Sequence, residues 1–293
     1  MTQYTFQLPD GRDLSYCVYG PGDGEPVLYF HGTPSSRLEP LLLNAYEKDF
    51  EALLIKYQLC VIAMDRPGMG LSSFNPHGDF ISFARDVQLL CEHLKVEKCK
   101  VLCWSGGGPF ALAIAHEHKK LVQAVYIITG FSLGFSEKNL FKKMHGNKLY
   151  FGAARYIPAI ARLVLNIVTR QKHIKPIPRI ISRLPESDHS LMTEVKRLQQ
   201  ISTTTLQEAC RQGSKGAVYE AALYFKNYGY ILKNIEQPVH FWWGNEDNVV
   251  VEAHAKAIEQ QVQNAFMHYK QNEGHLSIYI HCIEEVLQTI SAT

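Results

Sequence analysis

Apolar and polar residues alternate through "YTFQLPDGRDLSYCVYG" (residues 4–20), with Pro9-Asp10-Gly11 between the two runs; this pattern predicts a β-hairpin. Short, nearly unbroken apolar runs follow at 26–30 (PVLYF), 59–65 (LCVIAMD), 100–104 (KVLCW), 124–130 (AVYIITG), 238–244 (PVHFWWG) and 265–270 (AFMHYK). Runs of this length, apolar on both sides, predict strands buried in the interior of a sheet. Between them the period changes to that of a helix. It does so at 80–94, where Asp79 is a candidate N-cap, in "PFALAIAHEH" (109–118), near 251–262, and near 276–290. Buried strands alternating with helices define an α/β fold, a mostly parallel sheet flanked by helices on both faces.

One stretch breaks the alternation. Residues 131–235 are helical in pattern, basic, rich in tyrosine and punctuated by Pro158, Pro176, Pro178 and Pro185. They are expected to form a helical cap, or lid, inserted into a core made of residues 1–130 and 236–293. No internal repeat or low-complexity tract is visible.

Composition adds boundaries. A chain of 293 residues is long enough for one large α/β domain with an insertion. It has no run of 18 apolar residues, which argues against a membrane-spanning helix, and its first residues lack the basic and apolar regions of a signal peptide. Seven scattered cysteines with no Cys-x-x-Cys pair fit reduced thiols, so a cytoplasmic location is expected. The net charge of +2 conceals an asymmetry: residues 136–235 hold 17 Lys and Arg against 6 Asp and Glu, and the remainder 13 against 22. The basic middle reads either as a solvated helical surface or as one that attracts acidic substrates or anionic lipid headgroups. Contact with a membrane surface through the basic cap is therefore an open expectation. No nucleic-acid partner is expected, and the oligomeric state cannot be read.

The candidate chemistry starts at "VLCWSGGGPFALA" (101–113). Ser105 lies where a strand turns into a helix, with Cys103 two residues before it and Gly107 two after. A serine hydroxyl becomes a useful nucleophile only when it projects from the fold and a base takes its proton. A tight strand-to-helix turn projects it, and such a turn demands small residues at −2 and +2. The Gly106 N–H can then face a developing oxyanion, helped by the helix N-terminus. The same glycine run can also be a phosphate loop or a plain turn. Gly106, Gly108 and Ala111 fit a variant dinucleotide fingerprint, but no acid closes the next strand, which weakens that reading.

The rest of the chain supplies partners in the order such a serine requires. "WWGNEDNVV" places Asp247 just after the 238–244 strand, with Glu246 as its rival, and the Gly-x-x-Asp spacing favours Asp247. "NEGHLS" places His275 in a loop after the last strand. Both loops leave the sheet edge from which Ser105 projects. "YFHGTPSSR" (29–37) has the form of an oxyanion loop in which Thr33 offers its N–H and Pro34 shapes the turn; His31 is expected to prop the loop. In "DRPGMGLS" (65–72), Asp65 and Arg66 are expected to bond locally. His116 and His118, on the helix after Ser105, are expected to face outward or pack.

Taken together, "HGTPSSR", "DRPGMGLS", "WSGGGPFALA", "GNEDNVV" and "EGHLS" make the sequence resemble the α/β-hydrolase family almost end to end, and "EACRQGSKG" (208–216) resembles, more loosely, a bacterial subgroup with an HGTP oxyanion loop. The resemblance implies Ser105 as nucleophile, His275 as general base and then acid, Asp247 as the group that orients His275, and the Thr33 and Gly106 N–H groups as the oxyanion hole. It implies a serine hydrolase acting on a small to medium carboxylic ester or thioester, a small-molecule acyl substrate, through an acyl-enzyme. A carbon–carbon bond hydrolase or acyltransferase would use the same residues, and a non-catalytic ligand-binding relative is a further alternative. Relatives that hydrolyse epoxides or haloalkanes carry aspartate at the elbow, so serine disfavours those reactions. Few acids in the cap disfavour a peptidase. No metal-ligand spacing is evident and no cofactor is required. The cap aromatics Tyr150, Phe151, Tyr156, Tyr219, Tyr224, Phe225, Tyr228 and Tyr230 are either the cap's own core or the lining of an acyl pocket.

Overall fold

The computed structural model describes residues 1–171, 184–192 and 194–293. Eight strands form one sheet in the order β1-β2-β4-β3-β5-β6-β7-β8. They are β1 (Thr2–Gln7), β2 (Asp13–Tyr19), β3 (Glu25–Phe30), β4 (Leu59–Met64), β5 (Cys99–Trp104), β6 (Val122–Ile128), β7 (Val239–Gly244) and β8 (Ala265–Lys270). The hairpin pairs β1 with β2 in antiparallel register, β2 is antiparallel to β4, and every other pairing is parallel. The α/β architecture follows the apolar runs, with one difference. β8 is an edge strand, and its positions are half-buried or exposed. Only one side of it has a neighbour, so it does not share the complete burial of β4.

Strand alternation splits the interior into two layers. Leu28, Phe30, Val101, Ile127 and Phe241 point to one face, and Val27, Tyr29, Leu102, Tyr126 and Trp242 to the other. The first face is covered by α2 (Phe80–Leu94) and α3 (Gly108–Glu117), the second by α1 (Phe50–Tyr57) and α11 (Ser277–Ala292). α10 (Glu252–Gln261) packs on β7 and β8. α2 begins with a reciprocal cap: the Ser82 N–H donates to Asp79 Oδ1 at 2.7 Å and the Asp79 N–H to Ser82 Oγ at 2.8 Å. The apolar periodicity did not single out α1, although Asp49 caps it by accepting from the Ala52 N–H at 3.1 Å.

Between β6 and β7 the chain forms α4 (Leu140–Lys143), α5 (Lys148–Tyr156), α6 (Pro158–Thr169), α7 (Glu186–Leu191), α8 (Val195–Ser202) and α9 (Lys215–Leu223). Pro176 and Pro178 lie outside the described residues. Phe131, Phe135, Phe151, Tyr224 and Tyr228 of this stretch are buried in the same cluster as Phe80 and Phe110 of α2 and α3. They meet mostly edge to face, as Phe131 does with Phe151 at 5.8 Å and Phe135 with Phe151 at 4.9 Å. Most of the aromatics are thus interior packing, whereas Tyr156 is exposed. All seven cysteines are buried and unpaired. Among the described residues no helix is long and apolar enough to cross a membrane.

Candidate active site

Ser105 occupies the turn between β5 and α3 with φ of +52°, a left-handed conformation rare for a residue with a side chain. Packing enforces the strain. A Cβ on Gly107 would lie 2.2 Å from the Phe30 carbonyl oxygen, and one on Gly106 would lie 2.6 Å from the Tyr224 hydroxyl and 2.7 Å from Thr33 Cγ2. Neither position tolerates a side chain, and Cys103, the compact residue at −2, is fully buried beneath the turn.

The three residues singled out by order along the chain meet in space. His275 Nε2 is 2.9 Å from Ser105 Oγ, and His275 Nδ1 is 2.8 Å from Asp247 Oδ2. A carboxylate only accepts, so Nδ1 carries the proton and Nε2 is left to accept from the serine hydroxyl. Asp247 is itself fixed: Oδ1 accepts the Val249 and Val250 N–H groups, each at 2.8 Å, and Oδ2 accepts the Thr129 hydroxyl. Glu246 instead accepts the Ser187 hydroxyl at 2.7 Å, which decides between the two acids. Burial opposes a charge on His275, but the Asp247 carboxylate and its hydrogen bond outweigh it and hold the imidazole above its ordinary pKa. Trp104 stacks on the imidazole at 5.4 Å and donates its indole N–H to the His275 carbonyl at 3.2 Å.

Thr33 and Gly106 face each other beside the serine, and the peptides bearing their N–H groups are both held at the carbonyl end. The Gly32–Thr33 peptide oxygen accepts from His31 Nδ1 at 2.7 Å and from Arg66 Nη2 at 2.8 Å. The Ser105–Gly106 peptide oxygen accepts the Phe131 N–H at 3.1 Å. Because a peptide is planar, fixing its oxygen fixes the direction of its N–H. His31 therefore props the loop as expected, and burial followed by the nearby Arg66 charge keeps it neutral. The Thr33–Pro34 peptide is cis.

Several residues whose partners the sequence did not point to complete the surroundings. Arg66 does not bond locally. It is fully buried, reaches the His31 and Gly32 carbonyls, and pairs with Glu220 of α9 at 2.5 and 2.7 Å. Tyr224, next to α9, donates to the Gly106 carbonyl at 2.8 Å. Asp65 bonds the Arg37 guanidinium at 2.6 Å and the Leu71 N–H at 3.0 Å. Glu39 accepts the Gly32 N–H at 2.8 Å and the Tyr29 hydroxyl at 2.7 Å, and burial pushes its carboxyl up to about 7. Asp188 of α7 accepts the N–H groups of His275, Leu276 and Ser277, each at 2.9 Å. Arg66–Glu220, Tyr224–Gly106 and Asp188–His275 carry no local sequence signal, because the partners are remote along the chain. His116 near the end of α3 and His118 just after it are half-buried, away from the serine. Among the described residues no group of three or more His, Cys, Asp or Glu side chains could hold a metal ion.

A parallel sheet whose C-terminal edge carries a strained serine, a histidine and a carboxylate in one hydrogen-bonded chain defines a class of hydrolase-type folds. The chain belongs to the alpha/beta hydrolase fold family, whose model matches residues 25–281. An uncharacterized hydrolase, YcgS, of Bacillus subtilis is 24% identical over 279 residues, covering 91% of this chain and 89% of that one. The esterase RhEst1 of Rhodococcus superposes with a TM-score of 0.71 at 20% identity, covering 100% of this chain and 98% of the other. The epoxide hydrolase CorEH gives 0.72 at 18%, covering 99% and 98%. Neighbours of different chemistry share the fold equally well, so the choice of reaction rests on the site.

Proposed function

We propose that this protein is a serine hydrolase that cleaves a small to medium carboxylic ester or thioester through an acyl-enzyme. The observation that carries this reading is the unbroken Ser105–His275–Asp247 hydrogen-bonded chain on a left-handed serine. In the first step Ser105 Oγ attacks the acyl carbon while His275 Nε2 takes its proton. The tetrahedral oxyanion is met by the Thr33 and Gly106 N–H groups. His275 then returns the proton to the leaving alcohol or thiol as its bond to the acyl carbon breaks. A water, deprotonated by the same nitrogen, releases the acid and restores Ser105. Asp247 keeps the proton on Nδ1 and balances the imidazolium. Residues 131–235 act as the cap, a role supported by their reach to the site through Asp188, Glu220 and Tyr224. The Thr33 hydroxyl, buried beside the Tyr150 phenol, is a candidate contact for substrate.

The test is covalent labelling by a fluorophosphonate probe, followed by hydrolysis of p-nitrophenyl esters from acetate to palmitate. Labelling and turnover should both vanish in Ser105→Ala, and the ester series should report the size of the acyl site. A folded wild-type protein that neither labels nor turns over would overturn the reading in favour of a ligand-binding relative.

A further inference from the structure

Helix α6 presents four of its apolar residues to the outside. Ile160, Leu163, Val164 and Ile167 follow the i, i+3, i+4, i+7 spacing of a single helical stripe, and they are 55%, 61%, 53% and 56% exposed. Tyr156 and Ile157, just before the helix, are exposed as well. The inward face carries Ala161, Leu165, which packs on the core, and polar contacts. Ala161 is the one buried residue of the helix, the Asn166 side chain accepts the Ser214 N–H at 2.8 Å, and the Arg162 carbonyl accepts the Ser214 hydroxyl at 2.9 Å. The helix is thus held to the body by Leu165 and Ser214 and turns an apolar stripe about 11 Å long away from it. Isolated exposed apolar side chains are common on soluble proteins, but a continuous stripe marks a surface that something else covers.

Charge says what covers it. From Lys138 to Pro185 the sequence has 11 Lys and Arg and no Asp or Glu. Arg155 at the end of α5, Arg162 within α6, and Arg170 just after it are exposed and make no ion pair with any described residue. An apolar stripe with cations at both ends of its helix and no acid in the flanking sequence is the arrangement that lies in the headgroup region of a negatively charged bilayer.

We propose that α6 docks this protein on an anionic lipid surface. Ile160, Leu163, Val164 and Ile167 enter the boundary between headgroups and acyl chains, and Arg155, Arg162 and Arg170 contact lipid phosphates. This does not depend on the hydrolase reading, since no residue of the Ser105 site takes part.

The full-length protein is mixed with vesicles of phosphatidylglycerol and phosphatidylcholine in equal parts, or of phosphatidylcholine alone, and sedimented. Binding should be at least about tenfold stronger to the anionic vesicles and should weaken as salt is raised. The double variant Ile160→Glu, Ile167→Glu should lose at least about tenfold in vesicle affinity. Both positions are exposed, so its melting temperature should match the wild type. Arg162→Gln with Arg170→Gln should weaken anionic binding while leaving the fold intact. Failure to sediment with anionic vesicles overturns the proposal, as does binding that the glutamate pair leaves unchanged. A wild-type dimer in solution that the same pair converts to monomer also overturns it, since the stripe would then be covered by a second copy.

Discussion

At the scale of single residues, function in this chain depends on side chains held where they would not otherwise go. Ser105 is kept in a left-handed turn by the lack of room around Gly106 and Gly107, which removes the relaxed alternatives. His275 gains its proton affinity chiefly from Asp247, against the effect of burial, and this fixes a pH dependence. The base works only when neutral, so kcat/KM should rise with pH through a limb set by His275. That limb should lie above the ordinary imidazole value because Asp247 favours the protonated form over the opposing effect of burial. In Asp247→Asn the charge is lost. The limb should move to lower pH, and kcat should fall by about four orders of magnitude because Nδ1 no longer has to carry the proton. Esterase activity measured from pH 5 upward would show both changes. A variant limb that stays in place would remove Asp247 from the role given to it.

At the scale of elements, the decisive contacts join the inserted helices to loops of the sheet. The Asp188 carboxylate sits at the N-terminus of α11 and satisfies three N–H groups that the helix cannot pair within itself, that of His275 among them. Asp188 thereby acts as a positioning residue for His275. It also adds a negative charge that favours the imidazolium, after the larger opposing effect of burial and the contributions of Asp247. Asp188→Asn keeps one acceptor oxygen and removes the charge. It should reduce kcat by about tenfold, with KM little changed, and shift the acid limb of the profile to lower pH. A variant that merely melts earlier, with an unmoved limb, would make Asp188 structural only. Arg66 and Glu220 make a second such connection. Their buried pair spans α9 and the turn after β4, and through the Gly32 carbonyl it sets the direction of the Thr33 N–H.

At the scale of the whole molecule, the inserted stretch and the sheet share an interior. Phe131, Phe135, Phe151 and Tyr224 belong to the cluster that contains Phe80 and Phe110, and Phe80 lies 5.8 Å from Tyr224. Separate unfolding of the insertion would expose aromatic surface on both sides, so the two parts should unfold together. The three tryptophans, Trp104, Trp242 and Trp243, all lie on sheet strands, whereas much of the helix lies between β6 and β7. Urea unfolding followed by tryptophan fluorescence and by far-ultraviolet circular dichroism should therefore give coincident transitions. A helical signal lost at lower urea than the fluorescence would show that the insertion opens independently.

The sequence by itself determined the strands, the order in which they alternate with helices, and the serine corner. Each of these is written locally: in an unbroken apolar run, in a change of period, or in small residues flanking Ser105. It also placed Asp247 and His275, since a loop after a parallel strand must emerge at the edge where the Ser105 turn lies. It did not isolate α1, whose apolar pattern is too short to stand out, nor the half-exposed state of β8, which depends on strand order. Spacing favoured Asp247 over Glu246, and the tertiary structure shows which neighbour each of these adjacent acids meets. Only the tertiary structure brought Asp188 to His275 across 87 positions and Arg66 to Glu220 across 154. Such buried charges have no periodicity to announce them. Their positions are set by the packing that removes water around them, and that packing exists only once the chain has folded.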